Sequence, residues 1–296
     1  MEKYLIPMII KTFKKLFIGG EWYVGLRDLA NTPEKKYIQV KTPQDEWIAD
    51  PFIVEEDGKH FLFCEQFVKK ENKAGISCYE IVDGTATDGR FIIKEPYHLS
   101  YPCVFKIHGK YYMIPESSAN NTIDLYEAVR FPYEWTHKKV LMSGSKYVDS
   151  TVYVNNGNYF LLSYKKNGSI WNLYVFSFDV DKLSLSFELS IDFNANTGRP
   201  AGFLYQEGNK LIRPSQFCKN KYGESLILNE VCRMDSSNFD ERVYDRIEAT
   251  DIEFPFAIDR IHTINRDSKY EVIDVFKERI DLIHGLKIFK RVYLKK

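Results

Sequence analysis

The sequence predicts an all-β chain folded as a five-bladed β-propeller, and three observations lead there. Five segments roughly fifty residues apart align with one another. Each contains a short apolar run, a turn and a second apolar run, the pattern of a β-hairpin. Aromatic residues make up 15% of the chain, with 20 Tyr and 21 Phe, and aromatic side chains favour strands.

Taken in chain order, residues 1–16 form a leading segment and residues 17–296 a single propeller domain. The run FIGGEWYVGL (Phe17 to Leu26) reads as a strand outside the repeats, expected to pair with the last blade and close the ring. The repeats then open as ADPFIVEEDGKHFLFCE from Ala49, SYPCVFKIHGKYYMIPE from Ser100, VDSTVYVNNGNYFLLSY from Val148, GRPAGFLYQEGNKLIRPSQ from Gly198 and IHTINRDSKYEVIDV from Ile261. The first four turns carry Gly58, Gly109, Gly157 and Gly208, and glycine accepts the positive φ of a tight hairpin. Third strands follow as GISCYEI, TIDLYEA, NLYVFSF and ESLILNEV. FPYEWTHKKVL from Phe131 reads as an outer strand with its lead-in, which makes Trp135 a packing residue. The openings lie 51, 48, 50 and 63 residues apart, so the last interval holds an insertion, placed between Arg233 and Ile258. A single blade cannot bury both its faces, whereas blades packed around an axis can. A β-sandwich of equal strand count is the alternative, and the near-constant period opposes it.

Lys+Arg and Asp+Glu both number 41, so the formal net charge is zero and there is no whole-molecule field for gripping nucleic acid. Five cysteines, an odd number without a CxxC pair, argue against a disulfide framework or a structural zinc site. The segment MEKYLIPMIIKTFKKLF fits neither a secretory leader nor a membrane span. A reducing, cytoplasmic setting follows. The leading segment packs on the domain, or it forms an interfacial helix that gives weak membrane-surface association and a peripheral place at the inner membrane.

In a propeller, equivalent positions of the inner strands converge on the axis. The first such ring reads Asp50, Tyr101, Asp149, Arg199 and His262. A second reads Glu65, Glu116, Tyr164 and Gln216, with Asp274 the nearest match in the fifth repeat. The first three pairs are each 15 residues apart. A structural position would repeat one residue type, whereas these hold acids, a cation, aromatics and an amide, as a shared polar pocket would. Carboxylates crowded in a funnel raise one another's pKa, so Asp50, Asp149, Glu65 and Glu116 are the catalytic candidates. Arg199 and Arg213 either neutralise that cluster as structural ion pairs or hold an anionic group bidentately. Trp47, three residues before Asp50, is placed either to stack on a sugar ring or to pack in a blade. No cofactor motif is present, since GxGxxG and P-loop patterns are absent. The histidines have no metal-ligand spacing, and a divalent ion on the axis, with His262 among acids, is left open.

The ADPFI opening resembles the five-bladed propellers of glycoside hydrolase family 43 and the related invertases and levansucrases. The longer series WIADPFIVEEDGKHFLFCE, YPCVFKIHGKYYMIPES, IDLYEA, FPYEW, VDSTV, GRPAG, IRPSQ and IHTIN is similar to the propeller that precedes the glycosyltransferase domain of plant glucosamine inositolphosphorylceramide transferases, and to proteins of bacterial surface-polysaccharide clusters. From the hydrolase resemblance, Asp50 matches the catalytic base and Asp149 the aspartate that tunes the acid. The general-acid glutamate is replaced by Gly198-Arg199-Pro200. A guanidinium cannot serve as that acid, because its pKa exceeds ~12, whereas it does suit a phosphate leaving group or a sugar carboxylate. The expectation is a carbohydrate-active protein of cell-surface polysaccharide or glycoconjugate synthesis, a sugar transferase acting at the funnel. It would bind a carbohydrate or activated sugar, with Tyr101, Tyr164, Arg199, Arg213, Gln216, His262, Asp274 and Trp47 as substrate contacts. The alternatives are a glycosidase with a relocated acid, Glu65 or Glu116, and a non-catalytic glycan-binding propeller.

Overall fold

The computed structural model describes residues 18–280, apart from 156, 169, 193–196 and 236. The expectations placed on residues 1–16 lie outside the described residues. Five antiparallel sheets stand around one axis. Blade one comprises Glu46–Glu56, Lys59–Val68, Lys73–Val82 and the rim pieces Thr85–Ala86 and Arg90–Ile93. Blade two comprises Ser100–Ile107, Lys110–Ser117, Thr122–Arg130 and Glu134–Ser143. Blade three comprises Tyr147–Asn155, Asn158–Asn167, Ile170–Asp179 and Ser184–Asp192. Blade four has a short inner strand, Tyr205–Glu207, then Lys210–Phe217, Ser225–Met234 and Phe239–Glu248.

Blade five is assembled from both parts of the chain. Its inner strands are Arg260–Arg266 and Tyr270–Ile280, and its outer strands are Ile18–Asp28 and Ile38–Gln39. Ile18–Asp28 pairs along its whole length with Tyr270–Ile280, from Ile18↔Ile280 to Asp28↔Tyr270, which is the closure the non-repeat strand predicts. The extra residues of the last interval form the connector from Glu248 to Arg260. Part of it runs beside the chain near Tyr37, whose amide donates to the Glu253 carbonyl at 2.9 Å.

Inner strands meet a neighbouring blade on each side, so they read as unbroken apolar runs and not as alternating ones. Ile48, Ala49, Phe52 and Ile53 are all buried, as are Phe61, Leu62, Phe63 and Cys64 beside them. The core lies between blades: Val24, Leu26, Ile48, Leu62 and Tyr270 fill the seam between blades five and one. Leu162, Leu173, Val175 and Met234 belong to the cluster beside blade four. Trp135 packs in the seam beside blade two and donates its indole N–H to the Pro132 carbonyl at 2.7 Å. All five cysteines are free.

Candidate functional site

One local device builds the site four times. In blades one, two, three and five the inner strand carries one residue more than its partner at the ring position. Asp50-Pro51, Tyr101-Pro102, Asp149-Ser150 and His262-Thr263 therefore form β-bulges, and a bulge re-aims a side chain that would otherwise face a neighbouring blade. Asp50, Tyr101 and Asp149 adopt left-handed φ of 49°, 45° and 50°. Such backbone costs about 1–3 kcal/mol per residue and concentrates at functional sites. The 15-residue spacing is now explained. Glu65, Glu116 and Tyr164 sit across the hairpin from Ala49, Ser100 and Val148, one residue before each bulge.

Asp274 does not share that register. It lies opposite the bulge itself, where Cys64, Pro115 and Ser163 stand in other blades. From there its carboxylate accepts three amides: Asp50 N at 3.0 Å, His262 N at 3.0 Å and Thr263 N at 2.9 Å. It anchors the backbone of the first ring from beneath, and it is completely buried.

The ring divides into two halves. On one, Asp50 accepts Thr263 Oγ1 at 2.8 Å and the Tyr101 amide at 3.2 Å. His262 stands between two acids, with Nε2 3.4 Å from Asp50 Oδ1 and Nδ1 2.6 Å from Asp274 Oδ2. The second contact is a close ion pair that commits Nδ1 to Asp274. Burial pushes the Asp50 carboxyl up to about 8, with the charge of His262 opposing and Glu65, Asp149 and Asp274 reinforcing. Burial alone would lower His262, but Asp274 and Asp50 outweigh it and raise the imidazole to about 9. Asp50, His262 and Asp274 also bring one ligand atom each within 4.8 Å of one another. A divalent ion held there would have to displace the imidazole proton.

On the other half, Arg199 Nε donates to Asp149 Oδ2, and Nη2 donates to Asp149 Oδ1 at 3.2 Å. Gln216 Nε2 also donates to Asp149 Oδ2, at 2.9 Å. Glu116 Oε2 lies 3.7 Å from Arg199 Nη2 with no hydrogen-bond partner, while Glu116 Oε1 accepts Ser118 Oγ at 2.6 Å. Burial and the neighbouring Asp149 raise the Glu116 carboxyl well above the usual carboxylate range, against the pull of Arg199. Glu65 faces His98 Nε2 at 3.1 Å, and His98 Nδ1 accepts the Ala74 amide at 3.3 Å. Tyr164 stacks on Trp171 with ring centres 5.1 Å apart, and its buried hydroxyl has no partner.

Two predicted contacts stand apart from this group. Tyr101 is fully buried, and its hydroxyl is engaged by Thr151 Oγ1 at 2.9 Å and the Gly202 amide at 2.7 Å. It is an axle spanning blades two, three and four. Arg213 is 1% exposed and pairs with Glu241 on the outer strand of its own blade, at 2.7 and 2.6 Å. Its charge is engaged within blade four. Trp47 stacks on Phe67 at 4.6 Å and is half-buried at the edge of the cluster holding Trp22 and Ala49.

Two aromatic contributors come from outside the repeats. Trp22, on the closing strand, stacks on His262 with centres 4.0 Å apart. Tyr222, in the turn between Phe217 and Ser225, meets His262 edge-on at 5.1 Å and lies under the Arg199 guanidinium at 5.1 Å. That turn needs Gly223: its φ is +65°, and a Cβ there would press on Trp22, on His262 and on the Ile261 carbonyl at 3.1–3.3 Å. The signal in sequence was the short Tyr222-Gly223 punctuation. It belongs to no repeat position, so alignment of the blades passes over it.

Residues 36–254 match the sequence family described as glucosamine inositolphosphorylceramide transferase 1, N-terminal. The chain is 28% identical over 226 residues to glucosamine inositolphosphorylceramide transferase 1 of Arabidopsis thaliana, covering 72% of this chain and 28% of that protein. It is 29% identical over 209 residues to the protein of the same name from Oryza sativa subsp. japonica, covering 66% and 27%. The chain thus spans little more than a quarter of the length of these relatives. Among solved structures it is similar to the catalytic domain of a family GH62 α-L-arabinofuranosidase from Coprinopsis cinerea. The TM-score is 0.58 at 13% identity, over 86% of this chain and 97% of that one. It is also similar to a family 117 glycoside hydrolase from Zobellia galactanivorans, with TM-score 0.55 at 11% identity, over 91% and 92%. At these identities the solved structures speak to the fold alone.

Proposed function

The chain belongs to the family of the N-terminal region of glucosamine inositolphosphorylceramide transferase 1, and from that premise we propose that its axial funnel handles a sugar in the assembly of a glycoconjugate. One observation supports this most. Glu116 Oε2 and Tyr164 Oη are buried atoms of this group without hydrogen-bond partners. Buried polar groups are ordinarily satisfied, and two orphans on neighbouring blades are what a ligand's hydroxyls would complete.

The finer reading is sugar transfer. The new bond joins an acceptor hydroxyl oxygen to the anomeric carbon, and the bond to the leaving phosphate oxygen breaks. Asp50 takes the acceptor proton, since Asp149 is already engaged by Arg199 and Gln216. Its raised pKa makes it the stronger base once ionised. Arg199 meets the charge growing on the departing phosphate, using N–H groups not committed to Asp149. Burial raises the Glu116 carboxyl and favours its neutral form, which weakens its competition with a phosphate for the guanidinium. Gln216 positions Asp149, and Glu65 with His98 offers hydrogen bonds at the rim. The leaving-group roles follow the names of the relatives, which denote transferases.

Glu116 also favours a second reading. A buried carboxyl with a raised pKa and an oxygen without a hydrogen-bond partner is what a glycosidase's relocated general acid would be. Thermal shift with a panel of nucleotide sugars and lipid-linked sugar phosphates separates the two. One donor at a hundredfold excess over its Kd stabilises the protein by ~2.7 kcal/mol. That shift is lost in Arg199→Ala. In Asp50→Asn binding persists while transfer stops. Stabilisation by free oligosaccharides alone, with hydrolysis abolished in Glu116→Gln, overturns transfer in favour of hydrolysis. Oligosaccharide binding without hydrolysis leaves a binding module.

A further inference from the structure

Charge is distributed very unevenly along this electroneutral chain. Residues 1–17 and 281–296 together hold nine Lys and Arg against Glu2 and Asp281, a net +7. Residues 18–280 therefore carry −7. The two basic segments join the propeller at one point, because Ile18 and Ile280 are paired partners in blade five. That point lies at the funnel end of the blade. Tyr270–Ile280 climbs from the turn at Asp267–Lys269 past Asp274, which supports the ring, and ends at Ile280.

The described residues of that face agree with the segments. Lys70, Lys146, Lys166 and Lys219 are exposed in turns or strand ends at the funnel mouth, and Lys41 lies in the connector into blade one. None of the five meets an acid among the described residues. On the opposite face Lys59, Lys106, Lys110, Lys182 and Lys210 each sit against an acid: Glu80, Glu56, Glu127, Asp179 and Glu230. Asp45, Glu71 and Asp192 are exposed acids on the funnel face, where Lys94 meets Glu71 at 3.5 Å and Lys69 meets Glu21 at 2.7 Å. Among the described residues, the five unpaired lysines thus outnumber the unpaired acids Asp45 and Asp192. Tyr222 and Ile170 expose apolar surface there, at 40% and 47%.

We infer that the funnel face docks on an anionic lipid surface through its unpaired rim lysines, beside the point from which the two basic segments leave. The segments interleave their cations with large apolar residues: Leu5, Ile6, Ile9, Ile10, Phe13 and Leu16 in one, Leu286, Ile288, Phe289, Val292 and Leu294 in the other. That composition suits the headgroup boundary, whereas a nucleic-acid arm has no use for aliphatic bulk. Docking in this orientation turns the funnel towards the membrane. The inference does not rest on the transfer reading and goes beyond it, to where the site faces.

Vesicle co-sedimentation of the full chain tests it. Vesicles of phosphatidylcholine with about 30% phosphatidylglycerol retain the protein at ~0.1 M salt and release it at ~0.5 M. Phosphatidylcholine alone retains at least about tenfold less. The combined variant Lys70→Glu, Lys146→Glu, Lys166→Glu, Lys219→Glu partitions at least about tenfold more weakly while melting as the wild type does. Should that variant melt early, the Lys→Gln set replaces it, with a smaller loss expected. Equal retention on neutral vesicles, or undiminished retention of the rim variants, overturns the inference. So does binding of a DNA duplex as tight as binding of anionic vesicles. Sugar thermal shifts are read separately in solution, so failure here leaves the funnel's ligand untouched.

Discussion

A single proton on His262 reconciles Asp50 with Asp274, two carboxyls brought together in a water-poor axis. The unfolded chain binds that proton with the ordinary imidazole pKa near ~6.5, and the folded chain holds it to about 9. The stabilisation is fully present below the unfolded pKa and is lost as pH rises through the folded one. Asp50 acts in the same sense, since a carboxyl raised to about 8 binds its proton more tightly folded than unfolded. Urea denaturation should therefore show stability falling from about pH 4, where the unfolded Asp50 gives up its proton, to about pH 9, with the His262 share lost above about pH 6.5. In His262→Asn that slope should flatten. A variant with the wild-type slope would mean that the titration lies elsewhere. The residue roles were unevenly legible in the sequence. Asp50, Asp149 and His262 were visible because a repeat marks them out. Asp274 was visible only as an acid of approximate register, because a bulge adds a residue that counting along the strand cannot see. Tyr101 was indistinguishable from a ligand contact, because its partners Thr151 and Gly202 lie far off in sequence.

At the scale of the element, blade four is the instructive one. It carries two arginines of opposite fate, Arg199 at the axis and Arg213 clipped to Glu241. Removing one partner of a buried ion pair strands the other, at a cost of about 3–5 kcal/mol. Glu241→Gln should lower stability by about 3 kcal/mol in urea denaturation and leave the affinity for the sugar ligand unchanged. Arg199→Ala should lose the ligand, and because it strands the buried Asp149 as well, affinity and not stability separates the two variants. If Glu241→Gln weakened binding as much as Arg199→Ala does, Arg213 would belong to the site. Hairpin spacing made the repeats of this architecture readable, and the Gly-bearing turns placed their ends. What hairpins could not convey was the direction in which an inner-strand cation points, since a charge in a strand reads alike whether it meets a ligand or an outer strand. The mouth residues Trp22 and Tyr222 were obscure for a related reason. They enter from the closing strand and from an irregular turn, so no repeat register leads to them.

For the molecule as a whole, the ring is closed by hydrogen bonds between the first described strand and the last. Val24 is wholly buried in the middle of that seam, which packs against blade one. Val24→Pro removes a ladder bond and distorts the strand, a loss of about 3 kcal/mol or more. Because every blade leans on two others, amide hydrogen exchange should accelerate as much in blade three, opposite the seam, as in blade five. Unchanged protection in blade three would mean that the blades hold their own structure. The closure also sets an order of events at the ribosome. Ile18–Asp28 leaves the exit tunnel before any blade is made, and its partner Tyr270–Ile280 follows some 240 residues later. At a synthesis rate of about 5–20 residues per second that is a wait of roughly 10–50 s. Throughout it, Trp22, Val24 and Leu26 have no partner, and an unpaired apolar strand invites other chains. A cell making this protein must shelter that first strand until the final hairpin arrives.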